Sequence, residues 1–581
     1  MSAILRNIQE LSMLGAWCSL WLIGGYGVAR YAFRLKKSEQ LLVGIAIGLI
    51  VETWLANLLT LFIPAVPGFW IAAVLTFLIG ILFSWGHSFR EGFKISIPWG
   101  LLITFAITTY LFTAVSRGLA IYDDYAHLPT LSMMAAGDLP PHFPLDPSIS
   151  YGYHYFLMLF AAQWMRLGGL YPWNALDLAR GISFGLMICL TYVWVSRMTS
   201  SKLGGLAGAL MAAFGMGTRW ILLLLPEKVI AWLGEGMELL GSGRLTGATL
   251  VEAINRNWGI EGAGPIGYPF TFANGINAPG VMLHGPNGAI GMAITLVLLL
   301  TFNRWNGWKG AVITSILLAS TLLISEAGII LLLGGWALVV LVEIIRRRSM
   351  QIPKGLLLWL IVMAIGSIVG FLQGGALKDI TAGALDPEAV SYQTVGFRLV
   401  WPPAIVSSHL GILSLINPRQ LIVALLEMGP SLLALPLLAV FGWKAFRASR
   451  WYEAALMASG LISLAMIVVE FAGSTGVRNT SRLYQFSGLC SLFFVPLVWM
   501  YISRRSDTMK TLAGIAAGIM MFGGVVLAGI QLPAIQQPVY SYFITDLDVQ
   551  MERDYWNKLE PGTLVFDPIV FRSATLFARG S

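Results

Sequence analysis

The chain has 581 residues, of which 57% are hydrophobic and 11% are charged, and its formal net charge is +8. Soluble domains carry roughly 25% charged residues, so this composition excludes an ordinary soluble domain. Apolar runs of about 20 residues recur along the chain, and each is long enough to cross a bilayer as a helix. We therefore predict an all-α polytopic membrane protein.

The apolar runs predict about 14 transmembrane helices. The first run lacks a small-residue cleavage site and is interpreted as a retained span. Residues 1–96 then supply additional N-terminal helices, 97–531 form a core, and 532–581 form an external tail. The predicted spans lie near residues 12–33, 41–62, 66–86, 97–117, 176–196, 203–225, 286–303, 309–325, 328–345, 355–374, 420–442, 452–472, 483–503 and 511–531.

Basic residues are concentrated in alternate short connections between these spans. Cytoplasmic loops of membrane proteins carry an excess of Lys and Arg, so these connections are predicted to be cytoplasmic. The long loops 118–175, 226–285 and 375–419 then lie outside, and we expect a plasma-membrane protein. The net charge therefore reflects topology, and no nucleic-acid partner is expected. The basic connections are 34–37, 90–94, 197–202, 304–309, 346–354, 444–450 and 504–510.

The segment 153–170 is apolar enough to be a further span. If it crossed the bilayer, however, the basic connections at 197–202 and 304–309 would lie outside. We therefore predict a helix in the outer interface, with Tyr151, Tyr153 and Tyr155 at the level of the lipid headgroups.

Two adjacent carboxylates, Asp123 and Asp124, follow the fourth predicted span in the stretch YDDYAH. Adjacent carboxylates suit a divalent cation such as Mg²⁺ or Mn²⁺, and they also suit a pair in which one acid is ionised and its neighbour neutral. His127 would share a helical face with both. The alternative is structural, because aspartates commonly cap the start of a helix.

Residues 97–225 resemble the GT-C superfamily of polytopic glycosyltransferases, and in particular the branch of protein O-mannosyltransferases and aminoarabinose transferases. The resemblance is carried, in order, by YDDYAH, AAGDLPPHFP, the 153–170 helix and NALDLARGISFGLMICLTYVWVSR. It implies transfer of a sugar from a polyprenyl-phosphate donor to an unknown acceptor at the external face. It also implies that Asp123 or Asp124 either activates the acceptor or binds a metal that holds the donor phosphate.

Arginines suit the donor phosphate because their planar guanidinium groups bind its oxygens bidentately. Arg180 stands where the family has an arginine opening the returning span, and an ion pair with Asp177 is its structural alternative. Arg478 and Arg482, in the predicted external stretch GSTGVRNTSRLYQF, are further candidates, with Glu470 as their alternative partner. Further candidate substrate contacts are His127, His154, His284 and Tyr484.

Two other functional classes remain open from the residues. Glu52, near the middle of the second predicted span, and Glu427 in the eleventh favour a transporter of a lipid or small solute, because ionisable residues at membrane depth often serve transport. A noncatalytic GT-C-like subunit is the third alternative, because a fold can persist without its activity.

Overall fold

A computed structural model of the chain is mainly helical in the residues that it describes. It describes residues 2–85, 96–119, 124–143, 146–215, 217–237, 249–255, 257–260, 264–267, 279–282, 288–385, 395–399, 401–407, 411–429, 431–473, 483–502, 506–534, 545–559 and 576. The α-helices of this part are, in chain order, α1 (Ser2–Ala32), α2 (Lys37–Thr60), α3 (Ala65–Ser84), α4 (Trp99–Leu119), α5 (Asp124–Ala136), α6 (Phe156–Gly168), α7 (Pro172–Thr199), α8 (Lys202–Phe214), α9 (Glu227–Leu233), α10 (Leu250–Asn255), α11 (Gly288–Thr301), α12 (Trp308–Leu322), α13 (Glu326–Arg347), α14 (Lys354–Gln373), α15 (Ala376–Leu385), α16 (Pro418–Met428), α17 (Ser431–Arg447), α18 (Trp451–Ser463), α19 (Leu483–Tyr501), α20 (Asp507–Ala534) and α21 (Asp546–Asp554).

Short antiparallel strand pairs join some of the helices. Within the described residues the pairs are β1–β2, β3–β4, β5–β8 and β6–β7. The β5–β8 pair brings distant parts of the chain together and sets Phe397 opposite Phe471. The strands are β1 (His142–Phe143), β2 (Asp146–Ser150), β3 (Asn257–Ile260), β4 (Gly264–Gly267), β5 (Val395–Leu399), β6 (Ala404–Ser407), β7 (Gly411–Ser414) and β8 (Val469–Gly473).

The long apolar helices identify an integral membrane protein. In the described part of the chain, eight helices are long and apolar enough to cross a membrane: α1, α2, α3, α4, α7, α13, α14 and α20. Helices α8, α11 and α12 and the second half of α19 are apolar but shorter. The predicted count of about 14 spans is therefore confirmed only in its coarser form, an all-α membrane protein.

Three predicted spans are interrupted within the described residues. The run 203–225 ends as an α-helix at Phe214, and Arg219–Leu224 form a 3₁₀ helix. The run 420–442 divides into α16 and α17, with Gly429 between them at a φ of 63°, a backbone conformation that favours glycine. The run 452–472 ends as a helix at Ser463 and continues through a 3₁₀ turn into β8. Apolar composition alone reveals none of these interruptions.

One end of the bundle is held together by Glu39, and we call it the Glu39 end. Arg197 Nε, at the end of α7, donates to Glu39 Oε1 at 3.1 Å, and Arg304 Nη1 lies 4.0 Å from Glu39 Oε2. The Arg34 amide donates to the Arg304 carbonyl at 2.8 Å. Three of the basic connections therefore meet at one end, as the charge pattern predicts.

Helix α6 lies at the opposite end and does not cross the bundle. Its first amide, on Phe156, donates to the carbonyl of Leu323 at the end of α12. Its other end, at Gly169, adjoins the Glu10 carboxylate, near the beginning of α1 and far from the Glu39 end. Both ends of α6 therefore lie on one side, as predicted for the segment 153–170.

The predicted headgroup setting of α6 is wrong, because protein surrounds the helix. It packs against α1, α2, α3, α5 and α7, and most of its side chains are buried. Tyr151 and Tyr155 are only 4% and 1% exposed and do not face headgroups. The apolar sequence of 153–170 reflects burial within protein rather than contact with lipid.

Helices α1 and α3 pack through glycines at very short range. A Cβ atom at Gly24 would lie 2.3 Å from the Thr76 carbonyl oxygen, and one at Gly80 would lie 2.4 Å from the Gly24 carbonyl oxygen. Small residues allow membrane helices to approach this closely. By contrast, a Cβ at Gly15, also on α1, would meet no atom within 4 Å.

We predict that Gly24→Ala destabilises the protein by about 1–3 kcal/mol, because the methyl group forces α1 and α3 apart. Gly15→Ala is the matched control on the same helix, and it should leave the stability unchanged or raise it by at most about 1 kcal/mol through helix propensity. The thermal unfolding midpoints of the purified variants measure both effects. Equal midpoints for the two variants would contradict the close α1–α3 packing.

Candidate functional site

Three consecutive side chains, Tyr153, His154 and Tyr155, direct polar groups to different helices at the end opposite Glu39. They precede α6, where Gly152 leaves room for the side chain of Asp379 on α15. The backbone here is fixed by hydrogen bonds: the Tyr151 amide donates to the Pro141 carbonyl at 2.9 Å, and the Tyr153 amide to the Tyr151 carbonyl at 2.7 Å. These backbone hydrogen bonds hold the segment in place independently of its side-chain contacts.

His154 pairs with a glutamate 172 residues further along the chain. His154 Nδ1 and Glu326 Oε2 are 3.0 Å apart, and their side chains are 17% and 9% exposed. Glu326 is the first residue of α13, whose start is capped by the Ser325 hydroxyl. A carboxylate at a helix N-terminus is favoured by the helix dipole, so Glu326 is held as an acceptor facing the imidazole.

Tyr153 links His154 to His127 on α5. The Tyr153 hydroxyl lies 3.4 Å from His127 Nε2, and the Tyr153 ring lies 4.1 Å from the His154 ring, centroid to centroid. Tyr151 stacks on the far side, with its ring centroid 5.2 Å from that of Tyr153. His127 is buried. Two of the three histidines that were predicted as substrate contacts, His127 and His154, are therefore brought into one cluster.

Tyr155 points toward the ends of α2 and α14. Its hydroxyl is buried beside Gly374, where a Cβ atom would lie 2.8 Å away, and near the Asn57 side chain, but it makes no hydrogen bond within the described residues. Asn57 Nδ2 donates to Gln373 Oε1 at 3.5 Å. Burial raises the pKa of Tyr155 above its ordinary value, so this phenol remains neutral.

The cluster has the parts of a proton-transfer site. A carboxylate that accepts a hydrogen bond from one imidazole nitrogen fixes the tautomer and orientation of the ring. The other nitrogen, Nε2 of His154, is then left to accept or release a proton, as in catalytic His–carboxylate pairs. Glu326, Asn57 and Gln373 were not predicted as site residues. Only their contacts with residues 153–155 identify them.

Arg180, a predicted phosphate contact, is buried on α7. Its Nη1 lies 3.7 Å from Asp177 Oδ1, one turn earlier. The neighbouring Gly181 permits close approach to α4, where its Cβ would lie 2.0 Å from the Thr113 hydroxyl. The ion pair offered as the structural alternative is thus present, and the phosphate contact stays a prediction.

Several predicted site residues lie outside the part of the chain that the structure describes. Asp123, His284, Arg478 and Arg482 are among them, and so are the side chains of Asp124 and Tyr484, which belong to the first turns of α5 and α19. Among the described residues, no three His, Cys, Asp or Glu side chains form a metal-binding group. The predicted cation at Asp123 and Asp124 therefore stays a prediction.

A second buried polar pair lies where two helices end. Arg219 Nη1, just after α8, is 3.2 Å from Glu427 Oε2 in the last turn of α16, and each side chain is 1% exposed. The Thr218 amide donates to the Leu426 carbonyl at 2.7 Å, so the segment after α8 is joined to the last turn of α16. Glu427, predicted as a residue at membrane depth, is thus neutralised by an arginine that was not predicted.

Comparison of the chain with protein-family models, with curated proteins and with solved structures gives no match. The resemblance to GT-C glycosyltransferases therefore stays a prediction.

We predict that Arg219→Met and Glu427→Leu each destabilise the protein by about 3–5 kcal/mol, because each removes one half of a buried ion pair. The double variant should recover most of this loss, since it removes both charges. A double-mutant cycle on unfolding midpoints measures the coupling. Replacing Lys510 and Asp507, an exposed pair on α20, is the control and should show no coupling. Additive losses at Arg219 and Glu427 would contradict the pairing.

Proposed function

We propose that the protein is an integral membrane glycosyltransferase that moves a sugar from a polyprenyl-phosphate-type lipid donor to an acceptor hydroxyl. The observation that carries the proposal is the buried cluster of His127, Tyr153, His154 and Glu326, which is built largely by the segment between α4 and α7. The GT-C resemblance implies this order of elements: an outward span, short helices and a returning span. Titratable groups enclosed at a bundle end are typical of catalytic sites.

The order of elements supports the proposal further. Helices α4 and α7 pack closely together, and the chain between them forms α5, the β1–β2 pair and α6. Helix α5 packs on α6 and α7, so the segment carrying Asp124 and His127 adjoins the returning span that carries Arg180. Asp124 and Arg180, which the resemblance links to catalysis and phosphate binding, thus belong to elements in mutual contact.

In the proposed reaction the acceptor oxygen attacks the anomeric carbon while the lipid phosphate leaves from the opposite face, with inversion. Asp123 or Asp124 serves the acceptor or holds a divalent cation on the donor phosphate. Arg180, Arg478 and Arg482 oppose the negative charge that develops on the leaving phosphate. The basic connections at the Glu39 end support an external location for this site, at the plasma membrane.

We expect the purified protein in lipid nanodiscs to release polyprenyl phosphate from polyprenyl-phosphate mannose or polyprenyl-phosphate aminoarabinose. The double change Asp123→Ala with Asp124→Ala should lower the rate at least about 100-fold, because it removes the group that serves the reacting atoms. Mass spectrometry of the lipid products measures the rate. Asp146→Ala is the matched control, since this exposed aspartate in the same loop bonds locally to Ser148.

A lipid or solute transporter is the second candidate, and a specific observation favours it. Glu52 on α2 is fully buried and accepts a hydrogen bond from Trp17 Nε1 at 3.3 Å, and carboxylates at membrane depth are frequent in proton relays. The interruptions after α8 and α16 resemble the broken helices of transporters. If Glu52→Gln abolished solute flux while no donor released polyprenyl phosphate, the transporter would replace the glycosyltransferase.

A further inference from the structure

We infer that His154, held by Glu326, is the general base that takes the proton from the acceptor hydroxyl. This inference rests on the proposed glycosyl transfer and names the proton acceptor, for which sequence reasoning offered only Asp123 or Asp124. The two ring nitrogens of His154 have different surroundings. Nδ1 is occupied by Glu326 at 3.0 Å, whereas Nε2 makes no hydrogen bond within the described residues.

His154 is enclosed enough to be oriented and open enough to be reached. Its side chain is 17% exposed, whereas His127 is buried behind Tyr153. His142 is 42% exposed and pairs with Asp138 on its own loop, at 2.6 Å. Of these three histidines, only His154 combines a partner on a distant helix with a partly exposed ring.

Among the groups that face His154, Glu326 is the one that stabilises the protonated imidazole. The Tyr153 ring packs on the imidazole, and the neutral phenol of Tyr155 belongs to the next residue. His127 lies beyond Tyr153, and Asp379 packs against Gly152, two residues before His154. An imidazolium formed at His154 would therefore sit between a carboxylate and polar aromatic groups.

Three other deeply buried carboxylates, Glu52, Glu427 and Glu39, are closed to a substrate. Glu52 is fully buried beside Trp17, and Glu427 is buried against Arg219. Glu39 is bonded to Arg197 at the opposite end of the bundle. None of these carboxylates orients a partly exposed imidazole.

The proposed step balances without a further reactant. The O–H bond of the acceptor breaks, its proton forms an N–H bond with His154 Nε2, and its oxygen forms a bond to the anomeric carbon. The bond between that carbon and the phosphate oxygen breaks, and the phosphate leaves with the electron pair. The proton on Nε2 then returns to water. Glu326 remains ionised and stabilises the imidazolium. Asp123 and Asp124 are then left to serve the donor.

The test is chemical rescue. His154→Ala should lower the release of polyprenyl phosphate from polyprenyl-phosphate mannose or aminoarabinose about 100-fold or more. Added imidazole should restore a substantial part of the rate, because it supplies the missing base in the vacated space. A purely structural histidine would not be rescued in this way. Glu326→Gln should lower kcat by a smaller factor and leave the donor KM unchanged.

His142→Ala is the matched control, since it removes a histidine from another His–carboxylate pair in the same loop, and it should keep the wild-type rate with or without imidazole. If His154→Ala does not elute as a monodisperse protein, His154→Gln replaces it, and an unchanged kcat then overturns the inference. Wild-type release with a full rate in the His154 variant, or a loss that imidazole does not rescue, overturns the inference and leaves glycosyl transfer standing. No release by the wild type from either donor overturns both.

Discussion

The arrangement of the candidate site depends on one constraint: a polar side chain enclosed in a membrane protein has to find its partner within the protein. Tyr153 and His154 meet this constraint through His127 on α5 and Glu326 on α13, and the phenol of Tyr155 is buried by packing at the adjoining ends of α2 and α14. Because these three side chains diverge from consecutive residues, the segment cannot slide along any one helix without disturbing its contacts with the others. The start of α6 is thereby fixed against the bundle, and the imidazole of His154 is fixed with it.

The polar residues at the two ends of the bundle are arranged differently. At the Glu39 end, arginines from two connections share one carboxylate, and backbone hydrogen bonds join the ends of α1 and α11. At the other end, an imidazole remains partly exposed, with one nitrogen oriented and the other open. Closed ion pairs contribute to structure, whereas an oriented and accessible base is what proton transfer requires. This contrast favours the His154 end as the place of chemistry.

The sequence predicts the helices well where an apolar run is uninterrupted. Spans predicted at 41–62 and 355–374 correspond to α2 (Lys37–Thr60) and α14 (Lys354–Gln373), because a bilayer-length apolar run leaves few alternatives to a helix. The divisions of 420–442 and 452–472 were not predicted, because a Gly-Pro pair or a short strand hardly alters the hydropathy of an apolar run. The buried setting of α6 was not predicted either, since lipid and a protein interior favour the same apolar residues.

The sequence predicts only part of the candidate site. His127 and His154 stand out because histidines are few and both belong to the first loop. The other residues around the site do not stand out. Glu326 is 172 residues from its partner His154, and Asn57 is 316 residues from its partner Gln373. Contacts of that separation follow from helix packing, and no local pattern records them. In the sequence, Glu326 stands only as an acid between two apolar runs, 309–325 and 328–345, and nothing there indicates that it faces His154.

The most direct test of the central claim is to locate a bound donor. A cryo-electron microscopy map of the full chain in nanodiscs supplied with polyprenyl phosphate should show isoprenoid density along the bundle, ending in a phosphate at the His154 end, beside the loop between α4 and α7. Phosphate density at the Glu39 end, or a lipid whose phosphate lies away from both the first loop and His154, would contradict the account.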